Sequence, residues 1–118
     1  MTDSNQKQTV KNKILKVFEN TFSAILDERF VPLNGKKVVD LNSIITFCDF
    51  AFDDFDEIDC ELKNNTQQYR IILEQVLKDF LAKSYYIPVR LHQKCKVVDE
   101  SVIKTIMEET LRKVKNQK

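Results

Sequence analysis

Apolar residues recur at steps of three and four through four stretches of this chain, the spacing that lines one face of an α-helix. The first stretch is Val10, Ile14, Val17, Phe18, Thr21, Phe22 and Ile25, with Lys13, Lys16, Asn20, Ser23 and Asp27 on the opposite side. It predicts a helix over about residues 9–29, because Pro32 disfavours helical angles at Val31. Asn34-Gly35 is a turn signal. Asp40 or Asn42 can cap a second helix, with the stripe Ile44, Phe47, Cys48, Ala51, Phe55, Ile58 and Leu62. Residues 44–52 are also rich in β-formers, but the stripe keeps helical phase throughout and favours the helix. Asn64-Asn65 ends it.

Asn65 or Thr66 opens the third helix, striped by Tyr69, Ile72, Leu73, Val76, Leu77, Phe80 and Leu81 and ending near Tyr85, before Ile87-Pro88. Val89, Leu91, Cys95 and Val97 then alternate with Arg90, His92, Lys94 and Lys96, the period of an extended edge segment. Asp99 caps a fourth helix with the stripe Ile103, Ile106, Met107, Thr110, Leu111 and Val114, and Lys113, Lys115 and Lys118 suit its C-terminal dipole.

The connections are alike. Phe30-Val31-Pro32-Leu33 leads to Lys37-Val38-Val39-Asp40 and a helix; Tyr86-Ile87-Pro88-Val89 leads to Lys96-Val97-Val98-Asp99 and a helix. The preceding helices match at an offset of 55 residues, Ile14 with Tyr69 and Phe18 with Leu73 among them. The expectation is an all-α domain over residues 9–118 behind a polar tail at 1–8. Its four helices form two helix–Pro-turn–helix repeats, 9–62 and 65–116, related by a pseudo-twofold axis. At most, the two Lys-Val-Val segments form a short two-stranded β pairing. The expected core is Ile14, Phe18, Phe22, Ile25, Phe47, Ala51, Phe55, Tyr69, Leu73, Val76, Phe80, Ile103, Met107 and Val114.

Composition narrows the functional classes. One glycine in 118 residues argues against multi-hairpin β folds, whose tight turns need positive φ. It also rules out a P-loop, a dinucleotide fingerprint and a nucleophile elbow, each of which requires at least two glycines. The net charge is +1, so overall charge points to neither nucleic acid nor membrane. Residues 1–9 hold no apolar leader core, and Cys48, Cys60 and Cys95 form no C-x-x-C. The reading is a soluble, intracellular, reduced protein that is not secreted.

Charge is laid out in blocks. Residues 40–61 carry eight carboxylates and no Lys or Arg. A solvated helix face explains this, as does a docking surface in which Phe50 projects among Asp53, Asp54, Asp56 and Glu57. Arg90, Lys94 and Lys96, with His92 between, form a basic stretch that either protects a strand edge or meets an acidic partner. His92, Cys95, Cys48 and Cys60 nominally make a Cys3His zinc set, but the spacing matches no structural zinc motif. Neither a metal nor a cofactor is expected, and no motif carries catalysis. The expected role is therefore a non-catalytic protein–protein interaction module, a small subunit or adaptor of a larger assembly or a homodimer. The acidic second helix and the basic Arg90, Lys94 and Lys96 would be its two docking faces. The alternative is a nucleic-acid-associated factor using Lys36, Lys37, Arg90, Lys94 and Lys96.

Overall fold

A computed structural model of the chain describes residues 3–32, 34–63 and 65–117, with side chains from Gln8 onward. Leu33 of the first linker, Asn64 of the expected helix breaker and Lys118 lie outside the described residues. The order is α1 (Asp3–Asp27), β1 (Val38–Asp40), α2 (Leu41–Leu62), α3 (Gln67–Lys83), β2 (Tyr85–Arg90), β3 (Gln93–Asp99) and α4 (Glu100–Lys115). Helix α1 begins within the segment expected as a polar tail.

Each helix follows its apolar stripe. α1 packs mainly on α2 and α4, and α3 packs on α4 and α2, closing a four-helix bundle. α1 and α3 run towards the sheet, and α2 and α4 leave it. Fourteen core residues were expected from periodicity; twelve of them are buried, while Phe47 and Met107 pack half-buried at the rim. The ring pairs Phe18–Phe55 (5.6 Å) and Phe22–Phe80 (6.3 Å) join α1 to α2 and to α3. The boundaries follow local chemistry. Asp40 caps α2 by accepting the Asn42 N–H at 2.7 Å, and Lys63 closes it in the left-handed region at φ 48°. Asn65 accepts the Gln67 N–H at 2.8 Å and so opens α3.

The all-α expectation is overturned. A three-stranded antiparallel sheet of order β1-β3-β2 sits at one end of the bundle, making the fold mixed α/β. The reason lies at two residues. The apolar alternation from Val89 to Val97 is not one strand; it crosses a turn at Leu91-His92 into two. His92 supplies the left-handed conformation, at φ 64°, that a glycine would otherwise provide. Histidine is among the residues enriched in that region, so glycine poverty did not preclude this hairpin. Pro88 stands on the edge strand β2, where proline is tolerated.

The two Lys-Val-Val-Asp segments lie side by side. Val38 pairs with Asp99, Val39 with Val98 and Asp40 with Val97. A local twofold axis through the central pair relates them. Phe30 bridges Val38 as Tyr85 pairs with Val97, so the first half holds a one-residue counterpart of β2. Val39 and Val98 join the bundle core, and Val38 and Val97 are buried on the other face of the sheet. The long dimension is 61 Å. An ideal helix of the 25 residues of α1 spans only about 37 Å, so the sheet and hairpin extend the rod beyond the bundle.

Candidate functional site

The acidic helix α2 does not present its carboxylates as one surface. Asp54 and Glu57 border a shallow groove between α1 and α2, facing Lys13 and Lys16. Phe50 is exposed on the same flank, its ring edge-on to Phe47 at 6.4 Å, and Asp53 is exposed one turn further along. Asp56 turns away towards α3. It accepts from Arg70 Nη2 at 2.6 Å, and Asp59 accepts from the same nitrogen at 3.0 Å. Arg70 Nε also donates to Thr66 Oγ1 at 3.0 Å, and the guanidinium lies over the Phe55 ring. Burial alone would pull the Arg70 pKa down; hydrogen bonds and charge from Asp56 and Asp59 outweigh it and raise it. Asp56 is thereby one arm of an α2–α3 clamp, although its side chain stays largely exposed.

At the sheet, the two capping aspartates are used differently. Asp40 caps α2 and also accepts the Cys95 thiol at 3.4 Å. Asp99 makes no capping bond at α4, because its oxygens accept the Tyr85 hydroxyl and Lys36 Nζ, the latter at 3.4 Å. The hydrogen bond to Asp99, with burial and the carboxylate charge, pushes the Tyr85 phenol up to about 12. Arg29 Nε meets Glu100 at 3.0 Å beside this cluster.

The basic residues are divided too. Lys94 and Lys96 share a pleat face with Val98, whereas Lys36 reaches Tyr85 and Asp99 on the opposite face. Lys37 lies level with Glu100, whose N–H it accepts, about 20 Å along β3 from Lys94. A continuous strip of Lys36, Lys37, Arg90, Lys94 and Lys96 is not assembled.

What is assembled is the hairpin. Arg90 pairs with Gln93 at the turn, Lys96 pairs with Tyr86, and Lys96 Nζ stands 5.4 Å from the Tyr86 ring centre. Tyr86, Val89 and Leu91 are 63%, 54% and 86% exposed, and Phe30 and Val31 are exposed on the linker that joins the sheet end through the Phe30–Val38 bridge. The remaining large exposed apolar side chains among the described residues, Phe50, Ile71 and Leu81, stand singly on α2 and α3. A groove of about 890 Å³ runs between residues 93–96 of β3 and residues 40–42 at the start of α2, walled by Phe30, Tyr86 and Val89. Sequence reasoning singled out Arg90, Lys94 and Lys96 but not their exposed apolar neighbours. The signal was His92: a residue able to take positive φ between Val89-Arg90-Leu91 and Gln93 marks a turn, which exposes the residues beside it.

Two of the three thiols are held in the protonated form. Burial, and then Asp49, push Cys48 up to about 12, while burial and the bond to Asp40 raise Cys95. Both shifts favour the thiol over the nucleophilic thiolate. Cys48 is buried in α2, Cys60 is exposed near its end and Cys95 lies on β3. Among the described residues no group of three or more His, Cys, Asp or Glu is placed to hold a metal ion. Among them, too, no helix is long and apolar enough to cross a membrane. No protein-family model, curated protein or solved structure matches the chain.

Proposed function

We propose that this chain is a non-catalytic protein-interaction module, a small subunit or adaptor that docks through the β2–β3 hairpin at the sheet end of its bundle. The observation that carries this reading is the gathering of Tyr86, Val89 and Leu91 on a hairpin that extends beyond the helices. Single exposed apolar residues are ordinary, whereas a group with an aromatic anchor and a cationic border has the composition of an interface centre. Arg90, Lys94 and Lys96 form that border. The raised pKa of Cys48 and of Cys95, and the division of the carboxylates between an ion-pair clamp and open helix faces, support a binding role over catalysis.

The test is capture from the source cells with the full chain as bait, with and without nuclease, beside a Val89→Ser/Leu91→Ser variant. These side chains lie outside the core, so the variant keeps its fold. The reading expects a stoichiometric protein partner that survives nuclease and is lost by the variant. Recovery that vanishes with nuclease, equal recovery by the variant, or a partnerless chain overturns it.

A further inference from the structure

We infer that the groove beside β3 receives an extended, acidic peptide segment of a partner protein, which adds a strand in line with β1. This rests on the docking reading above and names the partner's chemistry and its mode of binding.

The backbone argument begins with β1. Along β3 it pairs with residues 97–99 and no further, and at Leu41 the chain turns into α2. Residues 93–96 of β3 therefore have a strand on the β2 side alone. Backbone groups in an antiparallel ladder alternate in direction. The Glu100 N–H donates to the Lys37 carbonyl at 2.9 Å, while Val38 exchanges both bonds with Phe30 on its far side. Counting back along β3 in steps of two, the N–H and C=O of Lys94 point to the β1 side, into the groove. An extended segment there continues the sheet by strand addition. The outer edge of β2 is less suited: Pro88 offers no N–H, and the register shifts between Pro88 and Arg90.

The charge argument sets the occupant. Lys94 and Lys96 line the groove, and Arg90 stands at the turn. The start of α2 adds the positive end of a helix dipole. Asp40 is the one carboxylate lining the groove among the described residues, and it is already engaged by the Asn42 N–H and the Cys95 thiol. Phe30, Tyr86 and Val89 provide apolar wall. The matching segment alternates carboxylates with apolar residues, so that its carboxylates meet Lys94 and Lys96 on the pleat face that Tyr86 shares, and its apolar side chains lie on the face of Phe30. A second copy of this chain fits less well: its own acidic block lies on the helix α2, not on an extended segment.

The probe is a displayed library of random peptides, selected on the full chain and counter-selected on Lys94→Glu/Lys96→Glu. The best peptide is then titrated into isotope-labelled protein and followed by backbone amide shifts. The expected result is net-negative sequences with alternating apolar residues, bound about tenfold or more weaker by the charge-reversed chain. The largest shifts should fall on residues 93–96, and N-methylation of alternate peptide amides should abolish binding. Basic peptides, peptides with helical apolar spacing, shifts centred on α2, indifference to N-methylation, or no enrichment would each overturn the inference. A partner captured by the hairpin with no such enrichment would remove strand addition and leave the docking reading standing. Loss of both would remove the docking reading as well.

Discussion

Val39 lies directly opposite Val98 in the β1–β3 ladder, and both side chains are buried without exposure. The pair occupies the same place in the two Lys-Val-Val-Asp segments, so the local twofold axis passes between them. It joins the sheet to the helical core, because Val39 and Val98 are the strand residues that enter the core cluster. Replacing either by Ala removes two buried methyl groups' worth of packing and costs about 2 kcal/mol. Urea unfolding of Val39→Ala and Val98→Ala should give similar losses. A change below about 0.5 kcal/mol in either, the range of ordinary surface substitutions, would contradict the placement of the pair.

Arg70 fastens α3 to the acidic half of α2. Arg70→Met keeps much of the aliphatic stem over Phe55 but strips the hydrogen bonds from Asp56, Asp59 and Thr66. The loss should be about 1–3 kcal/mol, since a partly buried charged network loses its donor. Arg70→Lys should be only a partial rescue, because an ammonium lacks the planar fork that reaches two carboxylates. Equal stability of wild type and Arg70→Met in denaturant titrations would show that the clamp contributes nothing.

Tyr85 gives an alkaline signature. Its phenol is ordinary at 10 and stands at about 12 in the fold, chiefly through the hydrogen bond to Asp99. The neutral phenol is therefore the form the fold favours, and its contribution is complete below pH 10 and lost as pH rises from 10 to about 12. Tyr85→Phe should be less stable than wild type at pH 8, by about 1 kcal/mol once partial exposure is allowed for. That gap should close across the alkaline window. Cys48 acts in the same direction from 9 to about 12 and is common to both proteins, so the comparison isolates Tyr85. A gap unchanged to pH 12 would rule out the Tyr85–Asp99 bond.

The three thiols should label in a fixed order. Cys60 is exposed, Cys95 is half-buried and donates to Asp40, and Cys48 is buried under a strongly raised pKa. At pH 8, iodoacetamide followed by mass spectrometry should find Cys60 modified first, then Cys95, with Cys48 modified only on unfolding. Early labelling of Cys48 would place α2 wrongly against the core.

The helices were legible because each stripe is buried on one side only, so Ile14, Phe18, Phe55, Leu73 and Ile103 announce their faces by spacing. The Lys-Val-Val-Asp pairing was legible for a similar reason: two short extended segments, each ending in a capping Asp, have the same need for a partner edge. The hairpin was not. Its turn rests on His92 in a conformation that composition assigns to glycine, and the alternation of Val89, Leu91, Cys95 and Val97 persists in sequence across a reversal in space. That one misplaced turn hid the third strand and, with it, the exposure of Val89 and Leu91 beside the reversal. The split of the acidic block was equally hidden, since nothing in the spacing of Asp53, Asp54, Asp56 and Glu57 shows that Arg70 takes Asp56 alone of the four.

The affinity of the captured partner for three versions of the full chain tests the hairpin account most directly. The versions are wild type, Val89→Ser/Leu91→Ser, and Phe50→Ala/Asp53→Asn/Asp54→Asn, each checked for helical content by circular dichroism. The account predicts that the hairpin variant weakens binding by about tenfold or more, with the α2 variant close to wild type. Full affinity in the hairpin variant and loss in the α2 variant would contradict it and move the docking surface to the acidic helix.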